Sequence, residues 1–179
     1  MASKPKLGYL GLGLMGSQMT KRLIKNSYQV TGFDPDPDKM SAAVANGVIA
    51  AASPAEVARA SDIVQACVIT TPALTEAIFG PNGIVEGGDA DKIFVDHSTT
   101  IADKTRQLAT RLKRETGMGW VDAPISGGPP AAGTGELAIM VGGNDDDVIR
   151  VQPVLDTLGH NTHMGELGTG QVTKMVNQV

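Results

Sequence analysis

Apolar and polar positions along the chain alternate between two kinds of pattern. Short, nearly continuous apolar runs recur at Lys6–Leu10, Gln29–Phe33, Val48–Ala51, Asp62–Thr70 and Lys92–Asp96. Between them lie longer helix-like stretches, over Leu14–Asn26, from Asp34-Pro-Asp-Pro to Asn46, after Ser53-Pro54, from Thr71-Pro72 to Phe79, and over Ile101–Thr116. The first kind reads as strands and the second as helices with one apolar face. Trp120–Ala123, Leu137–Val141 and Thr162–Met164 complete the strands, with a helix over Asp145–Leu158. Strands separated by helices of this size predict βαβ units, so the fold class is α/β: a doubly wound, mostly parallel sheet with helices on both faces. The glycine-rich stretch 122–135 leaves a strand, turns several times and reads as a loop.

The last residues show a different pattern. From Gly168 onward Gln171, Lys174 and Gln178 share one helix face with Asn177 at its edge, and Val172, Met175, Val176 and Val179 share the opposite, apolar face. An apolar face needs something to pack on, and a helix this short is marginal alone. Residues 1–165 therefore read as one domain and 166–179 as the start of a helix leading to a second.

Composition narrows the function classes. The 179 residues suit one domain, and 41% apolar with 19% charged residues is a globular balance. A net charge of −4 without any Lys/Arg cluster argues against a nucleic-acid partner. The longest apolar runs fall well short of the roughly 20 residues of a membrane span. Glycines at 8, 11, 13 and 16 break the apolar core that a secretory signal would need. The lone Cys67 rules out a disulfide framework and fits a buried thiol in a reducing, cytoplasmic compartment.

Candidate chemistry sits where strands end. Gly11-Leu12-Gly13-Leu14-Met15-Gly16 matches G-x-G-x-x-G between a strand and a helix. The first glycine allows the tight turn, the second lets the backbone approach a pyrophosphate, and the third lets helix and strand pack closely. Asp34 ends the second strand about 20 residues on, where a carboxylate accepts hydrogen bonds from ribose hydroxyls. A 2′-phosphate there would face Asp34 and Asp36, so NAD is expected in preference to NADP. Asp36 and Asp38 themselves read as turn and cap residues.

Ser98 and Thr99 follow the strand ending at Asp96, within reach of a nicotinamide or substrate; Thr99 or Thr100 is equally suited to cap the next helix. Ser126 with the N–H groups of Gly127 and Gly128 suits a carboxylate-binding nest. Lys174, on a polar stripe, has the chemistry of a general acid/base for an alcohol, with Asn177 or Gln178 a turn later to orient the substrate. His97, His160 and His163 lack metal-ligand spacing, so no metal is assigned.

Four segments, GLGLMG at 11–16, DHST at 96–99, DAPISGG at 122–128 and GTGQVTKMVNQ at 168–178, together resemble the β-hydroxyacid dehydrogenase family. That resemblance implies a Rossmann-type domain and a nicotinamide cofactor, with Lys174 as the catalytic lysine and Asn177 helping to hold the substrate. It implies that Ser126, Gly127 and Gly128 bind the substrate carboxylate, that Ser98 or Thr99 touches the nicotinamide, and that the Thr71-Pro72 turn lies along the cofactor. Family members continue into an all-α domain of roughly a hundred further residues, a usual domain size, which closes the site and usually makes a homodimer; that domain is missing from this sequence. The expected activity is NAD-dependent hydride transfer on a small β-hydroxy acid or its semialdehyde, weak in this chain by itself. The alternative is a non-catalytic dinucleotide-binding or interaction module with the same fold.

Overall fold

The computed structural model describes residues 4–178. Six strands form the parallel part of the sheet: β1 (Leu7–Leu10), β2 (Val30–Phe33), β3 (Ile49–Ala50), β4 (Ile63–Ala66), β5 (Ile93–Asp96) and β6 (Gly119–Asp122). Three more follow, β7 (Ile125–Ser126), β8 (Leu137–Gly142) and β9 (Gly159–Gly165). The sheet runs β3-β2-β1-β4-β5-β6-β8-β7, with β9 paired to β8. Pairing is parallel from β3 through to β6; β8 is antiparallel to β6 and β7 and parallel to β9. This is the doubly wound Rossmann-type order with an extension at one edge.

The helices are α1 (Leu14–Lys25), α2 (Pro37–Ala45), α3 (Pro54–Arg59), α4 (Thr71–Phe79), α5 (Ala102–Thr116), α6 (Gly128–Thr134), α7 (Asp145–Leu158) and α8 (Thr169–Asn177). β1, β4 and β5 are buried along their whole length, because helices cover both faces of the sheet. One core joins Leu7, Tyr9, Met19, Leu23, Val95, Val121 and the apolar side of α7; the other joins Leu10, Val64, Leu74, Phe94, Leu112 and Trp120. Side chains start several helices: Asp36 accepts from Asp38 N and Lys39 N, Ser53 from Glu56 N, Thr70 from Ala73 N, and Asn144 from Asp147 N.

Four expectations need correction. The run Asp62–Thr70 is strand only over Ile63–Ala66; beyond it the chain crosses the sheet's end, where Val68 and Ile69 line a cleft rather than pair. The 122–135 segment holds β7 and α6, because Ala132 is fully buried and α6 lies against α1. β9 extends over Gly159–Gly165, a mostly polar stretch made into strand by pairing with β8. Neither Thr99 nor Thr100 caps α5: its N-cap is Ile101, without a side-chain cap bond, and the Thr100 hydroxyl pairs with that of Thr105 at 2.7 Å.

Candidate active site

The strand order reverses between β1 and β4, and the carboxyl ends of the strands on either side of that point open into a cleft of about 610 Å³. Its walls bring together residues distant in sequence: Gly13–Gly16 from the first turn, Ser98 and Thr99 after β5, Ser126–Gly128 where β7 gives way to α6, and Lys174 from α8. A second hollow of about 430 Å³, formed by Gly11, Phe33, Asp34, Pro35 and Ala73 among others, shares Gly13, Lys39 and Cys67 with the first.

The three motif glycines differ in what surrounds them. A Cβ on Gly11 would lie 2.4 Å from the Cys67 carbonyl oxygen, and one on Gly16 would lie 1.9 Å from that of Gly11, so both positions are closed by the protein's own backbone. A Cβ on Gly13 would meet nothing within 4 Å, leaving the N-terminus of α1 open to the cleft. No acidic side chain lies in the first turn of α1 and no side chain caps it, so its free N–H groups and positive dipole end suit an anion. Leu12 is buried and its N–H donates to Asp34 Oδ2 at 2.8 Å, while Asp36 N donates to Asp34 Oδ1 at 3.0 Å. Asp34 thus shapes the glycine turn as well as facing the second hollow. Lys39 Nζ lies 3.2 Å from Asp36 Oδ2 and 4.0 Å from Asp34 Oδ1, which brings one cation into that acidic corner.

Gly127 and Gly128 take φ of +133° and +72°, conformations that side-chain-bearing residues rarely adopt, and Ser126 sits beside them at the cleft wall. Lys174 is 7% exposed, yet its ammonium pairs with no acid among the described residues. Gln178 lines the cleft; Asn177 is exposed and outside its lining. Thr71 and Pro72 form the first turn of α4, also outside both linings.

α8 docks with its polar face inward. Gln171 is fully buried: its Oε1 accepts from Thr100 N at 3.0 Å, and its Nε2 donates to Ser98 O at 2.8 Å. Asp122, at the end of β6, accepts from Gly168 N at 2.6 Å and Gln171 N at 2.9 Å. Beside it in register is Asp96, whose Oδ1 accepts from Ser98 N at 2.9 Å while Oδ2 is buried without a partner among the described residues. Burial pushes the Asp96 carboxyl up to about 7, against the lowering effect of the Ser98 bonds and with the charge of Asp122 adding to the rise. Burial likewise raises Asp122, although the Gly168 and Gln171 N–H groups oppose it. The Cys67 thiol, at the cleft floor, is pushed up to about 12 by burial and the Asp96 charge, which keeps it protonated and unreactive. His97 is pulled down to about 4 by burial; Nδ1 donates to Ala123 O at 2.9 Å, and Nε2 meets the Gln65 side-chain amide at 3.0 Å, whose NH₂ group, otherwise unpartnered among the described residues, is the donor that a neutral ring requires there. It is a neutral structural residue.

Asp122 and Gln171 were missed as site residues from sequence. Asp122 was read only as the lead of a motif, and Gln171 only as part of a polar stripe. The available signal was a charged residue closing an otherwise apolar strand.

Comparison with known proteins agrees with this fold. Residues 6–167 match the model of the NAD binding domain of 6-phosphogluconate dehydrogenase. The chain is 36% identical to the mitochondrial 3-hydroxyisobutyrate dehydrogenase of Mus musculus, over 100% of this chain and 53% of that protein. It is 37% identical to 2-hydroxy-3-oxopropionate reductase of Escherichia coli, over 97% of this chain and 59% of that one. The solved structure of Mycobacterium tuberculosis 3-hydroxyisobutyrate dehydrogenase with L-serine matches at a TM-score of 0.92 and 32% identity, over 98% of this chain and 59% of that chain. The chain thus spans a little over half the length of these relatives. Among the described residues, no helix is long and apolar enough to cross a membrane.

Proposed function

The chain belongs to the family of the 6-phosphogluconate dehydrogenase NAD binding domain, and from that premise we propose that it serves an oxidoreductase acting on a small β-hydroxy acid. The observation that carries this reading is the convergence of Gly13–Gly16, Ser98–Thr99, Ser126–Gly128 and Lys174 on one cleft.

The residues present fit a nicotinamide dinucleotide: the open space at Gly13 leaves room for a pyrophosphate, and Asp34 faces the adjoining hollow at a place suited to ribose hydroxyls. NAD is the preferred form, because Asp34 and Asp36 outnumber Lys39 in that corner and a 2′-phosphate would meet net negative charge. When bound, the nicotinamide supplies or accepts the hydride. The chain's own residues do the rest. Ser126 and the Gly127 and Gly128 backbone hold the substrate carboxylate, and Ser98 and Thr99 orient the nicotinamide end. In the oxidising direction a neutral Lys174 amine takes the hydroxyl proton as the carbonyl forms; in the reducing direction its ammonium returns a proton to the oxygen. Asn177 would join from the rim only once α8 is covered by further chain, which would also complete the site and make a homodimer, while the Thr71-Pro72 turn would lie along the cofactor.

The test is calorimetric titration of this chain with NADH and NADPH, followed by a panel of β-hydroxy acids on a protein extended to the length of its relatives, with Lys174→Ala alongside. The expected result is tighter NADH binding, with turnover falling at least a hundredfold in Lys174→Ala at unchanged NADH affinity, given a typical acid/base contribution of 10²–10⁴. Turnover that survives Lys174→Ala rejects the proton-transfer role. In a protein extended to the length of its relatives, cofactor binding with no turnover on any acid favours the non-catalytic module.

A further inference from the structure

The lysine helix is held in an unusual way. α8 leaves Val172, Met175 and Val176 at 47%, 52% and 71% exposure, so apolar packing does not fix its position within this domain. Its N-cap, Gly168, has no side chain to accept from the free N–H groups that open every helix, and no acid occupies its first turn. Asp122 fills that role from a different element, receiving Gly168 N and Gln171 N on its two oxygens. The slot is tailored to it: a Cβ on Gly142 would lie 2.5 Å from Asp122 Oδ1, and one on Gly170 would lie 2.8 Å from Oδ2 and 2.3 Å from the Met140 carbonyl oxygen. One face further on, both ends of the Gln171 amide grip the loop after β5, through Thr100 N and Ser98 O. Ser98 in turn accepts from Val68 N at 3.0 Å, which ties the loop after β4 into the same chain of bonds. Lys174 is the next residue on that buried face, one turn beyond Gln171.

We propose that Asp122 and Gln171 are positioning residues for Lys174: Asp122 fixes the start of α8, and Gln171 fixes its rotation against the Ser98–Thr100 loop. The lysine and the loop that orients the nicotinamide end are thereby held as one unit, so a shift of either moves the other. The catalytic sense of this inference rests on the reading of Lys174 as the acid/base; its structural sense does not.

The test uses this chain with two near-isosteric variants. Gln171→Glu replaces the Nε2 donor with an oxygen that repels Ser98 O, and Asp122→Asn turns an NH₂ toward an N–H of α8. Amide hydrogen exchange reads the hold on α8. The rate and pH dependence of Lys174 acetylation, followed by mass spectrometry, reads the lysine's surroundings. We expect exchange across residues 168–174 to quicken at least tenfold in each variant and Lys174 labelling to rise several-fold with a displaced pH midpoint, while NADH affinity stays within threefold. Where the parent turns over, kcat falls at least tenfold with KM for NADH retained. Gln171→Glu with parental α8 exchange and a parental Lys174 pH profile overturns the proposal, whether or not Asp122→Asn folds. An inactive parent whose variants still change exchange and labelling supports the positioning inference in its structural sense.

Discussion

α5 and α8 are both amphipathic, and they dock in opposite senses. α5 buries Ala102, Thr105, Ala109 and Leu112 and turns its arginines and lysines outward. α8 buries Gly170, Gln171 and Lys174 and turns its valines and Met175 outward. The first helix is held by area removed from water, an undirected force that tolerates small shifts. The second is held by a handful of directional bonds to Asp122, Ser98 and Thr100, which fix position closely in return for little stability. Each mode suits its position: α5 covers a sheet, whereas α8, under the proposed function, delivers one amine to one point.

The contrast predicts very different responses to mutation. The largest should come from Leu112→Ala in α5, about 2–5 kcal/mol of global stability in a denaturant titration, because Leu112 is fully buried in a core cluster. A loss below 1 kcal/mol would mean that α5 is not held by its apolar face.

Next, Asp96→Asn should alter the pH dependence of stability, since the α8 side of the sheet rests on buried carboxylates. Folded Asp96 keeps its proton up to about 7, against 3.8 ordinarily, so between those values the folded state holds more protons and stability falls as pH rises. The variant should therefore gain on the parent up to a plateau above pH 7, on the order of 4 kcal/mol at most, and match it near pH 4. His97 works in the opposite sense: it is held at about 4 against 6.5, so acid favours the unfolded state across that interval. The two slopes offset each other in the parent, and Asp96→Asn should uncover the acid loss due to His97. Identical pH profiles for parent and variant would remove buried carboxylate strain from the account of this site.

Gly170→Ala, whose Cβ would press on Met140 O and Asp122, should cost about 1–3 kcal/mol. Its effect should be local: faster amide exchange in α8 with α5 protected as before. Smallest of all, Val176→Ser on the exposed face should change stability by less than about 0.5 kcal/mol in this chain. A loss above 1 kcal/mol would show that the apolar face of α8 is covered in solution.

Much of the site was legible before the fold. The G-x-G-x-x-G spacing located the turn at Gly11–Gly16, and Asp34 followed at the end of the second strand, because turn geometry and strand length are local properties. Ser126–Gly128 and Lys174 carried their chemistry in short motifs. The polarity of α8 was legible as well, but not its direction of docking, since periodicity defines two faces without saying what each will meet. Asp122 and Gln171 form bonds to positions 46 and 71–73 residues away, and no local pattern encodes a partner at that distance. For the same reason the first half of β9 and all of α6 escaped notice: Gly159–Asn161 and Gly128–Thr134 have weak intrinsic preferences, and neighbours β8 and α1 impose their conformation.

The sequence by itself determined the alternation of strands and helices, the phosphate-type turn and the inventory of reactive groups, all consequences of spacing along the chain. Only the tertiary structure decided that four separate segments share one cleft, that Lys39 leans on Asp34 and Asp36, and that a buried aspartate anchors the lysine helix. Those arrangements depend on which strand ends lie side by side, and strand order is set by packing the whole sheet between two layers of helices rather than by any stretch of residues.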